Sequence, residues 1–176
     1  MRAKRWAIGG LGLVLAIAVG LYGWFVLETR KHSPLFLLSC MEAEPALLAW
    51  TCKQVLVHDS LRPDQVAQLN REGGALYPVL SKDLATAEEM LVLFISRGVD
   101  INAGNESVRN WSALYSTIGS SDIARTKMLL RHGARADVRD VEGMTPLDSA
   151  RRLQQKYPNE TDRLEIIQIL EDSLSP

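Results

Sequence analysis

Apolar residues are distributed along this chain in two ways. From Trp6 to Leu27 they run for 22 residues without a charge. As a helix that run would reach roughly 33 Å, enough to cross the hydrocarbon core of a bilayer. Beyond Leu27 they come in short clusters at helical spacing, broken by polar turns that contain glycine or proline. Helices are expected at Pro45-Ala46-Leu47-Leu48-Ala49-Trp50, at Asp64 to Arg71, at Tyr77-Pro78-Val79-Leu80, at Ala87 to Ser96, at Ile123 to Leu130 and at Leu164 to Leu170. Gly73-Gly74, Gly98 and Gly133 stand just past three of these clusters, where a left-handed residue ends a helix.

Part of the pattern is stated twice. Asn110-Trp111-Ser112-Ala113-Leu114-Tyr115-Ser116-Thr117 matches Gly143-Met144-Thr145-Pro146-Leu147-Asp148-Ser149-Ala150, with Ser112 and Thr145 33 positions apart. Tyr77 to Gly98 is 21 residues, the same as Ser112 to Gly133. Thr145 can accept from the amides that open a helix, and Pro146 suits the first helical position. Leu147 and Ala150, three apart, then share one face.

This period, the Thr-Pro-Leu start and the Leu-Leu-x-x-Gly-Ala stop resemble the ankyrin repeat. Gly98-Val99-Asp100-Ile101-Asn102-Ala103 follows the same family's loop pattern. The resemblance implies an all-α fold: an ankyrin-repeat solenoid of about four helix-turn-helix units over residues 42–172, preceded by one transmembrane helix. One unit cannot bury its own apolar face, so several must stack. In the first unit Pro45 to Trp50 would pair with Asp64 to Arg71, with an insertion in the Val55–Pro63 loop. The Gly98–Ser112 loop is two residues longer than Gly133–Thr145, so its finger is expected to project further. Tyr115 and Asp148 stand where the family usually has His, and weaker hydrogen bonding between repeats is expected there.

The layout follows: residues 1–5 a cytoplasmic segment, 6–27 a membrane anchor, 28–39 a linker and 40–176 the repeat domain. Arg2, Lys4 and Arg5 precede the anchor, against Arg30 and Lys31 after it, and the positive-inside bias puts the N-terminus in the cytoplasm. Trp6, Tyr22 and Trp24 sit near the ends of the run, where aromatic belts form. A removed signal peptide, cut after Ala16-Ile17-Ala18, is the rival reading. Cys40 and Cys52 form a disulfide if the domain lies outside the cytoplasm; two buried free thiols are the other reading.

Charge narrows the partners. After Leu27 there are 17 basic and 21 acidic residues, with no basic face of the kind nucleic acid needs. Glu42 to Glu106 holds 10 acidic and 5 basic residues, whereas Arg109 to Arg152 holds 8 basic and 5 acidic. The polarity is of a kind that steers a partner. No catalytic elbow, phosphate loop or metal-ligand spacing occurs, and His32, His58 and His132 are scattered. No catalytic residue, cofactor, metal or small-molecule substrate is therefore expected.

What remains is surface. Ankyrin stacks bind proteins through finger tips and inner helices. The expected contact residues are Trp111, Tyr115 and Met144, rimmed by Asn105, Arg109, Arg139, Glu142 and Asp148. Trp111 is either an aromatic anchor for a partner or packs on the preceding finger. By architecture the chain resembles the immunity partners of type VI secretion phospholipase effectors. That implies a single-pass inner-membrane protein whose periplasmic domain binds a secreted effector. A periplasmic scaffold for a stress-defence enzyme is the alternative, and an enzyme the more distant one. The orientation makes one prediction: a periplasm-dependent reporter fused after Pro176 is active in bacterial cells. An active cytoplasmic reporter with a silent periplasmic one contradicts it.

Overall fold

The computed structural model describes residues 2–43 and 45–175, with side chains from Val14 onward except Ala43. It is all-helical, with ten helices and no strand among the described residues. The chain divides into two compact units, Met1–Ser60 and Leu61–Pro176.

The first unit holds α1 (Arg2–Thr29), α2 (Pro34–Ala43) and α3 (Ala46–Asp59). α2 packs on α3, and the Cys40–Cys52 disulfide joins them across a Cα separation of 6.1 Å. Closing so short a loop removes about 3 kcal/mol of freedom from the unfolded chain. α3 also lies along the last turns of α1. The Tyr22 and Thr51 hydroxyls are 2.7 Å apart, and the Arg30 guanidinium donates to Asp59 at 3.0 Å. From Tyr22 onward α1 turns the stripe Tyr22, Phe25, Val26 and Thr29 inward, whereas Val14 to Leu21 are exposed all round.

Two expectations change here. The segment 28–39, taken as linker, contains most of α2. The Val55–Pro63 segment, taken as a loop, is helical to Asp59. Cys52, Val55 and Leu56 continue the apolar spacing and are buried, which carries the helix on. α3 therefore pairs with α2 and α1 inside the first unit. Among the described residues no helix is long and apolar enough to cross a membrane. The side chains of Arg2, Lys4, Arg5, Trp6 and the rest of the run up to residue 13 lie outside the described ones, so the first part of the expected anchor 6–27 is not covered by that statement.

The second unit contains α4 (Pro63–Arg71), α5 (Leu76–Val79), α6 (Leu84–Ser96), α7 (Ala113–Gly119), α8 (Ile123–Arg131), α9 (Pro146–Lys156) and α10 (Thr161–Leu174). α5, α7 and α9 pack in one layer and α6, α8 and α10 in another, each inner helix against the outer helix that follows it. Between the layers lies a shared core of Val79, Leu91, Leu114, Ile118, Met128, Leu129, Ile166 and Leu170. Ala113 and Ala150 are fully buried where the inner helices approach one another.

The repeated sequence marks repeated ends. Thr145 and Asp148 form a reciprocal cap, the Thr145 hydroxyl accepting from the Asp148 amide while Asp148 accepts from the Thr145 amide, with Pro146 in first position. Asp83 and Asp122 cap α6 and α8. α6 and α8 end alike. Val99 and Ala134 donate back to the carbonyls of Phe94 and Leu129, both at 3.0 Å, which requires the positive φ of Gly98 (93°) and Gly133 (94°). Two arginines tie neighbouring pairs together. Arg125 donates to the Val79 and Ser81 carbonyls at 2.7 and 2.6 Å, and buried Arg163 donates to the Ser121 hydroxyl at 2.8 Å. Outer-layer ion pairs, Lys127–Glu165 and Arg131–Glu88, are half exposed and add little each.

A candidate protein-binding groove

The groove is built by two successive loops, residues 98–112 and 133–145, and by the helix α9 that follows the second. In the first loop Asn105 pairs through its backbone with Trp111, and its side chain donates to the Glu72 carbonyl at 2.9 Å and accepts from the Ser107 amide at 2.9 Å. Arg109 and Asn110 take positive φ to double the chain back. A Cβ at Gly104 would collide with the Asn110 main chain. The first loop is therefore folded back on itself through a tight turn at residues 104–111.

In the second loop Asp140 is the organiser. Its Oδ1 accepts from the Glu142 and Met144 amides, both at 2.9 Å. Its Oδ2 accepts from the Trp111 indole at 3.3 Å. The Val141 amide donates to the Arg109 carbonyl at 3.2 Å, which links the loops by backbone as well. Below them the Tyr115 ring lies parallel to Trp111, centroids 6.1 Å apart. The Tyr115 hydroxyl faces the carbonyls of Met144 (2.5 Å) and Val138 (3.0 Å).

Tyr115 thus supplies the bond between repeats that its substitution for His was expected to weaken. A phenol reaches further than an imidazole, and its single proton meets two backbone acceptors of the following loop. Burial, and then the nearby Asp140 carboxylate, push its pKa up to about 12. Tyr115 is only 3% exposed, so it positions the surface and does not offer one. Asp148 makes no such bond between repeats; its carboxylate is spent on the cap of α9. The Thr145 amide and hydroxyl hold that carboxyl below the usual range.

The loops and α9 enclose an open cavity of about 210 Å³. Trp111, Met144 and Leu153 give it an apolar floor. Arg109, Glu142, Arg152 and Lys156 rim it, with Asp140 and Ser149 between. Glu142 is held from both sides, by Arg109 at 2.9 Å and Arg152 at 3.4 Å. The Lys156 ammonium rests 5.2 Å from the Tyr157 ring centroid. Three cations thus face one exposed carboxylate, since both oxygens of Asp140 already accept hydrogen bonds within the protein.

Of the residues expected at a binding face, the structure brings Trp111, Met144, Arg109 and Glu142 together in this cavity. Arg139 is exposed on the same loop and donates to the Gly143 carbonyl. Asn105, Tyr115 and Asp148 serve the framework instead. The Trp111 ring lies on its own helix and its N–H binds the loop that follows. Sequence reasoning missed Asp140, Ser149, Arg152, Leu153 and Lys156. The last four are a helical i, i+3, i+4, i+7 stripe of α9, a signal that was readable once Met144 was placed beside it.

Among the described residues no group of three His, Cys, Asp or Glu side chains could hold a metal ion. An apolar floor with a charged rim fits a protruding side chain of another protein. No protein-family profile matches the chain.

The buried phenol makes a prediction. Tyr115→Phe leaves the Met144 carbonyl short of a donor, at a cost of about 1–2 kcal/mol, and lowers the unfolding midpoint. The wild-type chain has a matching pH signature. A raised phenol pKa gives stability that is complete below the unfolded value of 10.0 and lost as pH climbs through about 12. Thermal unfolding followed from pH 8 upward checks both. A Tyr115→Phe chain with an unchanged midpoint and the same alkaline decline contradicts the account.

Proposed function

We propose that this protein is a membrane-anchored ankyrin-repeat binding protein. Within that class, the reading is an immunity protein whose repeat domain, in the bacterial periplasm, neutralises a secreted effector of the type VI phospholipase kind. The observation that carries the binding reading is the cavity of about 210 Å³ between two consecutive loops and α9, floored by Trp111 and Met144. It lies on the loop and inner-helix side, the side ankyrin stacks use for partners. The effector class rests on architecture alone: a short anchored chain, a repeat domain and a recognition surface without catalytic groups.

Two features of the first unit support the location. The Cys40–Cys52 disulfide suits an oxidising compartment. The exposed, all-round apolar surface of α1 from Val14 to Leu21 suits lipid.

Trp111→Ala removes the floor of the cavity, and affinity of the detergent-solubilised chain for its effector falls roughly thirtyfold, as for a buried aromatic anchor. Trp111 also binds Asp140, so a second variant separates binding from folding. The Arg152 side chain is 68% exposed, and its two contacts, to Glu142 and to the Met144 sulfur, are both long at 3.4 Å. Arg152→Glu leaves the unfolding midpoint in place and weakens binding. In cells, the wild-type chain protects against periplasmic delivery of a lipase-like toxin encoded beside it, and both variants protect poorly. Full protection by both moves the interface off this groove; no protection by the wild-type chain removes the immunity reading.

A further inference from the structure

The disulfide-closed hairpin of α2 and α3 presents an apolar corner that the groove does not explain. Leu47 and Trp50 lie one turn apart near the start of α3, 61% and 56% exposed. Their height relative to α1 is set by two bonds. Tyr22 meets Thr51, and Arg30 meets Asp59, each across 29 positions of sequence. α3 therefore runs parallel to the end of α1 in one fixed register. In that register Leu47 is level with Ala18 and Trp50 with Leu21, a residue that is itself 63% exposed. The corner thus continues sideways the apolar collar of α1, at the height where α1 stops being exposed all round and starts turning one stripe toward α3.

We propose that Leu47 and Trp50 seat this hairpin on the membrane, with the phospholipid interface as their partner. Tyr22, Trp24 and Trp50 then form one aromatic belt at the aqueous edge of the bilayer, the depth that amphipathic rings favour. A few exposed apolar side chains of a helix buried at the headgroup–acyl boundary are the mode by which helices lie on a bilayer. Glu42, exposed in the last turn of α2, keeps the turn of the hairpin from sinking further. The hydrocarbon edge falls near Tyr22 to Trp24, not at Leu27. Arg30, just past the end of α1, and Asp59, with which it pairs, stand in water, where that exposed ion pair belongs. The Cys40–Cys52 bond locks α2 to α3 and so holds the corner at a constant height.

This inference rests on α1 being a membrane anchor, and the test separates the two. Full-length chains retaining a single tryptophan, Trp50 or Trp111, with the others replaced by Phe, are reconstituted into phosphatidylcholine vesicles, with and without bromine near the top of the acyl chains. Trp50 emission falls by roughly half in the brominated vesicles, as for a belt residue, while Trp111 emission is nearly unchanged. Leu47→Ser in the Trp50 chain loosens the seat and reduces Trp50 quenching while leaving the helix content in place. Trp50 quenched no more than Trp111, in a chain that resists alkaline carbonate extraction, overturns the seat and leaves the anchor standing. A chain released by carbonate overturns both.

Discussion

The carboxylate of Asp140 is the constraint on which the proposed recognition surface depends. Its three accepted hydrogen bonds shape the second loop and draw the Trp111 indole of the first loop onto it. The Val141 amide on the Arg109 carbonyl, the Arg135 amide on the Asn102 side chain and the Arg109–Glu142 ion pair join the same two loops elsewhere. Tyr115 completes the arrangement from below, by bonding the carbonyls that leave the second loop. Both groups are largely buried, where an unpaired polar atom is costly, so the loops are held in one relation instead of several. The cavity is a consequence of that relation.

The same economy governs the rest of the second unit. Short helices cannot stabilise themselves, and the four residues of α5 are far below the length at which an isolated helix persists. They persist here because each inner helix packs on its neighbours, and because Arg125 and Arg163 bond across successive pairs. Stability of this kind is built between neighbours and scales with their number. The first unit works differently. A disulfide and two polar contacts to α1 hold a hairpin whose own apolar core is Leu37, Leu38, Val55 and Leu56.

How much of this was legible in the sequence differs by residue. The Thr145-Pro146 start and the Gly98 and Gly133 stops are local signals, and the structure realises each at the position it marked. Trp111, Met144, Arg109 and Glu142 could be grouped because a repeated register puts equivalent loop positions side by side. The pairing of Cys40 with Cys52 was undecided, since it requires two helices to pack, and one of them lay in a segment read as linker. Asn105 carries framework bonds that the sequence did not show, for a related reason. A polar residue in a long loop suggests an exposed rim, but its bonds to Glu72 and Ser107 are tertiary and invisible to spacing. Tyr115 shows the same limit. A departure from the repeat pattern signalled a lost bond, whereas the longer side chain restores it from another direction.

The central claim is that two consecutive loops and the helix after them form one recognition surface. Amide hydrogen exchange of the full chain, with and without the proposed effector bound, tests it most directly. The account predicts that residues 105–111, residues 138–144 and the first turns of α9 gain protection together on binding, while the outer helices α6, α8 and α10 are unchanged. Protection confined to the outer helices, with both loops exchanging as in the free chain, would contradict it.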